Sequence, residues 1–378
     1  MGVDLMRTLQ VSVLDRLTLQ TKFSHRCAVW EIQRDYIENA SSHFTLNGDF
    51  EVKKGDFLLA KFESGEFANW NTGGRLVPLY FGVVSSSENK QKRVGITQIN
   101  ASDILQLLDI EFPATHKSGN NVQNHLRSLI QLYLLQYLGS QLPPISVDVA
   151  GAGISHLYQP SDPPTATNLT EYAINIFKKY GVSWTVKELR RRADERLVLD
   201  TRIEKPKGRL RFKNNVSHFM NWSVYVTPAN AEGSNHLLIV DKKTKNSEQP
   251  LILAQYFLGD DGSISQDRNA VKSHKLFKTK VYIYDTEQED KPTYDDVARS
   301  ELSASSYSHE ISFDIPYDSD ICRLSDLRIG TDSTIYYDKQ QYPSILTGYS
   351  LSSKSDYISL KFGNVRSTLK SFVKGLKK

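Results

Sequence analysis

Several short runs in this sequence have residue types that could do chemistry. Gly151-Ala152-Gly153 opens like a dinucleotide-phosphate loop. Such a loop sets backbone N–H groups against a pyrophosphate at a helix start, and it needs a third small residue at fixed spacing. Here Ile154-Ser155-His156-Leu157 leads into a proline-rich stretch instead. Asp260-Asp261-Gly262-Ser263 offers oxygen donors, but a calcium loop needs them at alternating positions with a closing Glu, so the segment reads as a β-turn. His309-Glu310 is half of a zincin pair, and no second His follows at the required spacing. No Gly-x-Ser-x-Gly elbow is present. Asp295-Asp296 stands where acids favour a helix start. Arg190-Arg191-Arg192 is followed at once by Asp194 and Glu195, so its local charge is nearly balanced and it reads as a solvated hairpin tip. Cys27 and Cys322 have no CxxC or HxxxH cluster beside them and read as buried free thiols. The residues therefore assign no catalytic group, no cofactor site and no metal ligand, and predict a chain that is not an enzyme.

The composition is that of a folded globular protein. Hydrophobic residues make up 39% and charged residues 24% of 378, with 21 Gly and 13 Pro, which excludes collagen, a disulfide scaffold and a disordered chain. The length gives a prior of about two or three domains. Aromatics reach 10%, with 19 Tyr against 3 Met, as suits half-buried β surfaces. A net charge of +4 implies by itself neither a nucleic-acid nor a membrane partner. No apolar run approaches the ~20 residues of a membrane span. Met1–Gln10 has no signal-peptide pattern, so the expected place of synthesis is the cytoplasm.

The first hundred residues read as short strands. Phe44, Leu46, Phe50 and Val52 alternate about Asn47-Gly48-Asp49 and predict a hairpin. Asp56–Phe62, Leu79–Val84 and Val94–Ile99 read as further strands, with Ser85–Arg93 as a polar loop and Asn69–Gly74 as another. The apolar period then lengthens. Val122, Leu126, Leu129, Ile130, Tyr133 and Tyr137 lie on one face of a helix over Asn120–Leu138. Gly151–Pro164 reads as a loop. A second helix follows, with Asn168 as N-cap, Glu171 completing a capping box, Leu169, Ala173, Ile176, Phe177 and Tyr180 as its stripe, and Gly181 as its stop. Strands return from Val182 to about Asp285, then a short helix near Thr293–Leu302. The last strands are Ile311–Ile315, Ser333–Tyr337, Ile345–Leu351 and Tyr357–Phe362. Val365–Leu376 is a basic amphipathic segment that reads as a docked terminal helix. No internal repeat is present.

The C-terminal stretch is the most specific. Asp326-Leu-Arg-Ile-Gly330, Thr334-Ile-Tyr-Tyr337, Ser344-Ile-Leu-Thr-Gly348-Tyr349 and Tyr357-Ile-Ser-Leu-Lys-Phe-Gly363-Asn-Val-Arg-Ser-Thr-Leu369 follow in an order that resembles the closing domain of tail-hub proteins of long-tailed phages. Phe44-Thr-Leu, Lys54-Gly55-Asp56-Phe-Leu-Leu, Tyr80-Phe81-Gly82-Val-Val and Ile99-Asn-Ala-Ser-Asp103-Ile-Leu resemble the first barrel of the same hubs. The family is the tail-associated (Tal) protein of siphophages, related to the central hub of contractile tails and of type VI spikes.

This resemblance implies a β-rich α+β, multidomain tail-hub fold with two similar β-barrel domains and interspersed helices. The implied layout is a first barrel over 1–110, a helical α+β linker over 111–200, a second β-rich domain over 201–290 and a C-terminal β domain over 291–378. It implies a homotrimer beneath the hexameric distal tail protein, so that three chains present six barrels to a six-fold ring. It further implies a virion protein of the tail tip or baseplate, assembled in the host cytoplasm, that closes the tail tube and opens for DNA. The tape-measure and receptor-binding proteins are further implied neighbours. Many family members continue into a fibre or a peptidoglycan hydrolase; this sequence stops at Lys378, which implies no lytic domain. Gly151–Pro164 is the expected hinge of opening, on its Gly and Pro content. The rival expectation is a carbohydrate-binding or polysaccharide-degrading β protein, using Trp30, Trp70, Trp184 and Trp222 to stack on sugars, although strand alternation around Trp184 and Trp222 favours core packing.

Overall fold

The computed structural model describes residues 8–65, 67, 74–90, 95–113, 121–151, 153–154, 166–227, 234–259, 263–272, 276–289, 291–303 and 308–364. Eight strands come first: β1 (Leu9–Leu14), β2 (Thr21–Cys27), β3 (Val29–Asp35), β4 (Ser41–Asn47), β5 (Phe57–Phe62), β6 (Arg75–Leu76), β7 (Tyr80–Lys90) and β8 (Ile96–Asp103). Alternation sets their faces. In β4, Ser42, Phe44 and Leu46 are buried while His43 and Asn47 are exposed. Seven of the eight pair in the order β3-β4-β8-β7-β5-β1-β2.

Two local expectations fail here. Phe50 and Val52 form no strand. Gly48 donates its N–H to the Gly95 carbonyl, and the Thr97 hydroxyl donates to the Gly48 carbonyl at 2.8 Å while accepting from Phe50 N at 3.0 Å. The segment is thereby tied across the start of β8, and the Phe50 ring stacks on Phe23 at 4.4 Å. The expected loop from Ser85 is instead strand as far as Lys90, paired with β8 through a bulge between Val84 and Ser86. Ser86, Ser87 and Glu88 are all exposed, so this end of the hairpin projects beyond the core and needs no apolar period. The Asn69–Gly73 part of the other loop lies outside the described residues.

The middle of the chain holds β9 (Glu111–Pro113), α1 (Val122–Leu129), β10 (Ile145–Ala150), β11 (Ala166–Asn168), α2 (Leu169–Tyr180), β12 (Ser183–Arg191) and β13 (Leu197–Glu204). The Asn121 side chain caps α1 by accepting from Asn124 N. Beyond it the helix widens into a π-helical stretch over Ile130–Gln136. The wider turn carries Tyr137 off the apolar face, where it is 64% exposed. The Asn168 side chain accepts from Thr170 N and Glu171 N at the start of α2, and Gly181 ends it at φ +67. The expected reciprocal bond from Glu171 is not part of this cap. A four-stranded sheet, β10-β13-β12-β6, lies against these helices. Ile145, Val147 and Val149 alternate as a strand should, in a segment for which no strand is expected above. Trp184 is fully buried and donates Nε1–H to Thr201 Oγ1 at 2.8 Å.

Next come β14 (Arg209–Lys213) and β15 (Met220–Thr227). The chain then forms a separate unit of β16 (His236–Asp241), β17 (Ile252–Leu258), β18 (Ile264–Ser265), β19 (Thr279–Tyr284) and α3 (Tyr294–Ser303). Its sheet order is β18-β17-β16-β19, and its core of Leu237, Ile239, Tyr256, Leu258, Tyr282, Tyr284, Val297, Ala298 and Leu302 is distinct from the main core. The chain returns through β20 (Ser308–Pro316), β21 (Asp332–Tyr337), β22 (Gln340–Ser352) and β23 (Tyr357–Asn364). Thr227 pairs with Ser308, so the unit leaves and re-enters at adjacent positions on neighbouring strands.

Strands β15-β20-β23-β22, with β21 on β22 and β14 on β21, make a second half of the main sheet. β22 pairs with β3 and joins the halves into one 13-stranded sheet. One core runs through both halves and the middle block. Strand pairing thus divides 201–290 differently from expectation. Residues 209–227 belong with 308–364, and the chain between is an insertion. The Asp260-Asp261-Gly262 turn, most of the Gly151–Pro164 loop and the terminal segment from Val365 lie outside the described residues.

Candidate assembly interface

The reactive-looking residues are absorbed by the fold. Cys27 donates Sγ–H to the Val29 and Thr45 carbonyls at 3.3 and 3.4 Å, and burial pushes its thiol up to about 12. Burial, with Asp326 nearby, does the same for Cys322. Neither thiol has the thiolate character a nucleophile needs. His309 is buried in β20, where Nε2 meets Ser344 Oγ at 2.5 Å, and burial holds its pKa near 4. Glu310 is exposed, because neighbouring residues on a strand point to opposite faces; the pair cannot share an ion. No cluster of three or more His, Cys, Asp or Glu is placed to hold a metal among the described residues.

Asp295 accepts from the Tyr256 hydroxyl at 2.5 Å, and Asp296 donates its N–H to Thr293 Oγ1 at 3.2 Å, so both serve the start of α3. Arg190 makes a two-nitrogen contact with Asp200 at 2.6 and 3.0 Å, and Arg191 pairs with Glu195 at 3.1 Å. Arg190 and Arg191 thus end β12 paired within the hairpin, and the exposed Arg192 opens its turn towards β13. Beside Gly153, the Ile154 carbonyl accepts from Val122 N and Ile154 N donates to Gln123 Oε1, so the chain there docks on the start of α1. Trp30 and Trp184 are buried, and Trp222 stacks on Phe313 at 4.1 Å. Trp70 lies outside the described residues.

The distinctive geometry is the join between the halves, which sequence reasoning missed. Along it Arg34 faces Tyr349 in register, and Gly348 faces Asp35. Arg34 reaches Asp103 Oδ2 at 3.3 Å in the first half and the Tyr349 hydroxyl at 3.4 Å in the second. Burial opposes its charge, but Tyr349 and Asp103 more than compensate and raise its pKa. Lys361 Nζ lies 2.9 Å from Asp35 Oδ2, and here too the carboxylate outweighs burial and keeps the ammonium charged. Trp30 N donates to Ser353 Oγ at 3.1 Å and Tyr36 N to the Thr347 carbonyl at 3.1 Å, while the Tyr36 hydroxyl accepts from Trp184 N at 2.9 Å and so ties the first half to the four-stranded sheet. Burial raises the Tyr36 phenol, which stays neutral. The two halves are therefore cross-braced by charge and hydrogen bonds as well as by the ladder. Away from the join, the inserted sheet leaves Val281 and Ile252 about half exposed, at 50% and 53%, on the face opposite α3.

No family model matches this chain, and no curated protein matches it in sequence. Solved structures match over nearly its whole length. The phage P2 baseplate in its activated conformation with Ca superposes with a TM-score of 0.53 at 13% identity, covering 95% of this chain and 100% of that one. A tail protein from Neisseria meningitidis MC58 gives 0.51 at 14% identity, over 94% and 96%. Prophage tail protein gp18 from Listeria monocytogenes EGD-e gives 0.50 at 10% identity, over 97% and 98%. The fold is that of phage baseplate and tail proteins. The likeness spans 94–97% of this chain.

Proposed function

We propose that this chain is a structural hub protein of a phage tail tip, with no catalytic role. The observation that carries this reading is overlap from end to end with baseplate and tail chains that are themselves covered over 96–100% of their length. The bipartite sheet supports the finer proposal. Its halves, of seven and six strands, are the two units of one chain that we read as the paired barrels. A homotrimer would present six such units to a hexameric distal tail ring, so that each ring subunit meets a similar surface. The trimer would close the tube and open for DNA at ejection, with tape-measure and receptor-binding proteins as neighbours in the virion. The braced join favours movement between protomers over movement between the halves, since parting the halves would break a strand ladder and leave the buried Asp35 without Lys361.

The test is the mass of the complex formed on co-expression with the distal tail protein of the same phage, by light scattering behind a sizing column. Three copies on a six-copy ring is the expected result. A lone 42.9 kDa species that binds glycans and no ring would replace this reading with the carbohydrate-binding one.

A further inference from the structure

We infer that the outer edge of β14 is a docking edge for an extended partner segment in which acidic and apolar residues alternate. β14 is bonded on one side, in parallel register from Arg209↔Asp332 to Lys213↔Tyr336, and among the described residues no strand lies on its other side. A strand edge of this kind exposes a row of backbone donors and acceptors.

The side chains along it sort by face. Arg209, Arg211 and Lys213 are exposed on one face, about 6.6 Å apart along the strand at two residues per repeat. Lys207, just before the strand, is also exposed, and Lys205 extends the charge further. On the other face Phe212 is buried against the rings of Phe219, Phe313 and Phe362, while Leu210 is only half-buried. The half-exposed leucine at the open edge is an apolar position that a further strand would cover.

Little on the protein answers this charge. Asp332 stands opposite Arg209 in register and bridges to Lys205 at 3.2 Å. Asp338, beyond the end of the strand, is held by Asn214 at 3.2 Å. Lys213 lies over the Tyr336 ring at 5.6 Å. Lys207, Arg209 and Arg211 have no ion pair among the described residues. Three like charges at alternate positions repel one another, so the edge as it stands is unfavourable in itself and most favourable beside negative charge.

An added strand would bring its side chains within about 4.5–5.5 Å of those of β14. Carboxylates at alternate positions would then meet Arg209, Arg211 and Lys213, and the arginine forks bind carboxylates with two bonds. The intervening apolar residues would land beside Leu210 and close the margin of the Phe212 cluster. This is strand addition, with backbone bonds giving affinity and alternate side chains giving selectivity. The same cations repel a second copy of β14, so the edge discriminates against self-pairing while selecting an acidic partner. Nucleic acid would satisfy the cations but would leave both the backbone edge and Leu210 unused.

The test uses the full chain and three labelled probes at physiological salt, read by fluorescence anisotropy. These are the peptide Glu-Val-Glu-Val-Glu-Val-Glu, a block peptide of the same composition, Glu-Glu-Glu-Glu-Val-Val-Val, and a DNA duplex. The alternating peptide is expected to bind at least about tenfold tighter than the block peptide. The double variant Arg209→Glu with Arg211→Glu is expected to lose that binding by a similar factor and to bind Lys-Val-Lys-Val-Lys-Val-Lys instead, which also shows that it is folded. Equal binding of the two acidic peptides, preference for the duplex, or no effect of the double variant would each overturn the inference. So would aggregation of the double variant without peptide binding by the parent chain, which would leave the cations as edge protection only.

Discussion

Single residues in this protein matter chiefly through burial. His309 is the clearest case. Its folded pKa near 4 lies below the ordinary imidazole value of 6.5. The unfolded chain therefore takes up a proton that the folded chain refuses as pH falls from about 6.5 to 4. The stability present above 6.5 is lost across that window and levels off below it, by on the order of 3 kcal/mol at most. Melting temperature measured against pH should fall more steeply in this window for the parent chain than for His309→Gln. The thiols give a second expectation. With both cysteines pushed up to about 12, a thiol reagent at neutral pH should label neither until the chain unfolds, when it should label two. The burial of both cysteines was legible from the lack of any ligand-like neighbours. The polar partners of His309 were not, because Ser344 comes 35 residues later and meets it only across the sheet.

Elements whose causes are local were readable, and those with distant causes were not. Asn168 and Gly181 bound α2 through bonds that span two to four residues, so residue types alone announce the helix. Alternation likewise announces β4 and β20, but it tells which face is buried and not which strand lies alongside. That is why Ile345–Leu351 of β22 reads as a strand while its pairing with β3 does not show, and why 201–290 reads as one unit. The join has a sharp steric requirement. A Cβ built at Gly348 would lie 2.7 Å from the Arg34 carbonyl oxygen and 3.2 Å from the Asp35 Cα, both backbone atoms that cannot swing away. Gly348→Ala should therefore cost about 1–3 kcal/mol in denaturant unfolding. Gly65→Ala has open space, and its only burden is the backbone strain of φ +96, so it serves as a control for contact at the join.

At the scale of the whole molecule the described residues form two cores, and these need not melt together. The main core is continuous through both sheet halves and the middle block, while the inserted unit packs on its own. Calorimetry should show one transition for the main body and a separate one for the insertion. Because Thr227 and Ser308 are already paired, replacing residues 228–307 by Asn-Gly should close β15 onto β20 as a tight hairpin. That shortened chain should keep the larger transition and lose the other. A main body that melted in two steps would mean that the halves are independent domains after all.

The seam between β3 and β22 also sets a clock. Trp30 and its partner Ser353 are 323 residues apart. At about 5–20 residues per second, a ribosome needs roughly 15–65 s to deliver the second after the first. Through that interval the nascent chain carries the open flank of β3, with Trp30 and Ile32 still lacking their final cover. A protein built this way matures only once nearly all of it has been synthesised, because the flank of β3 waits for β22.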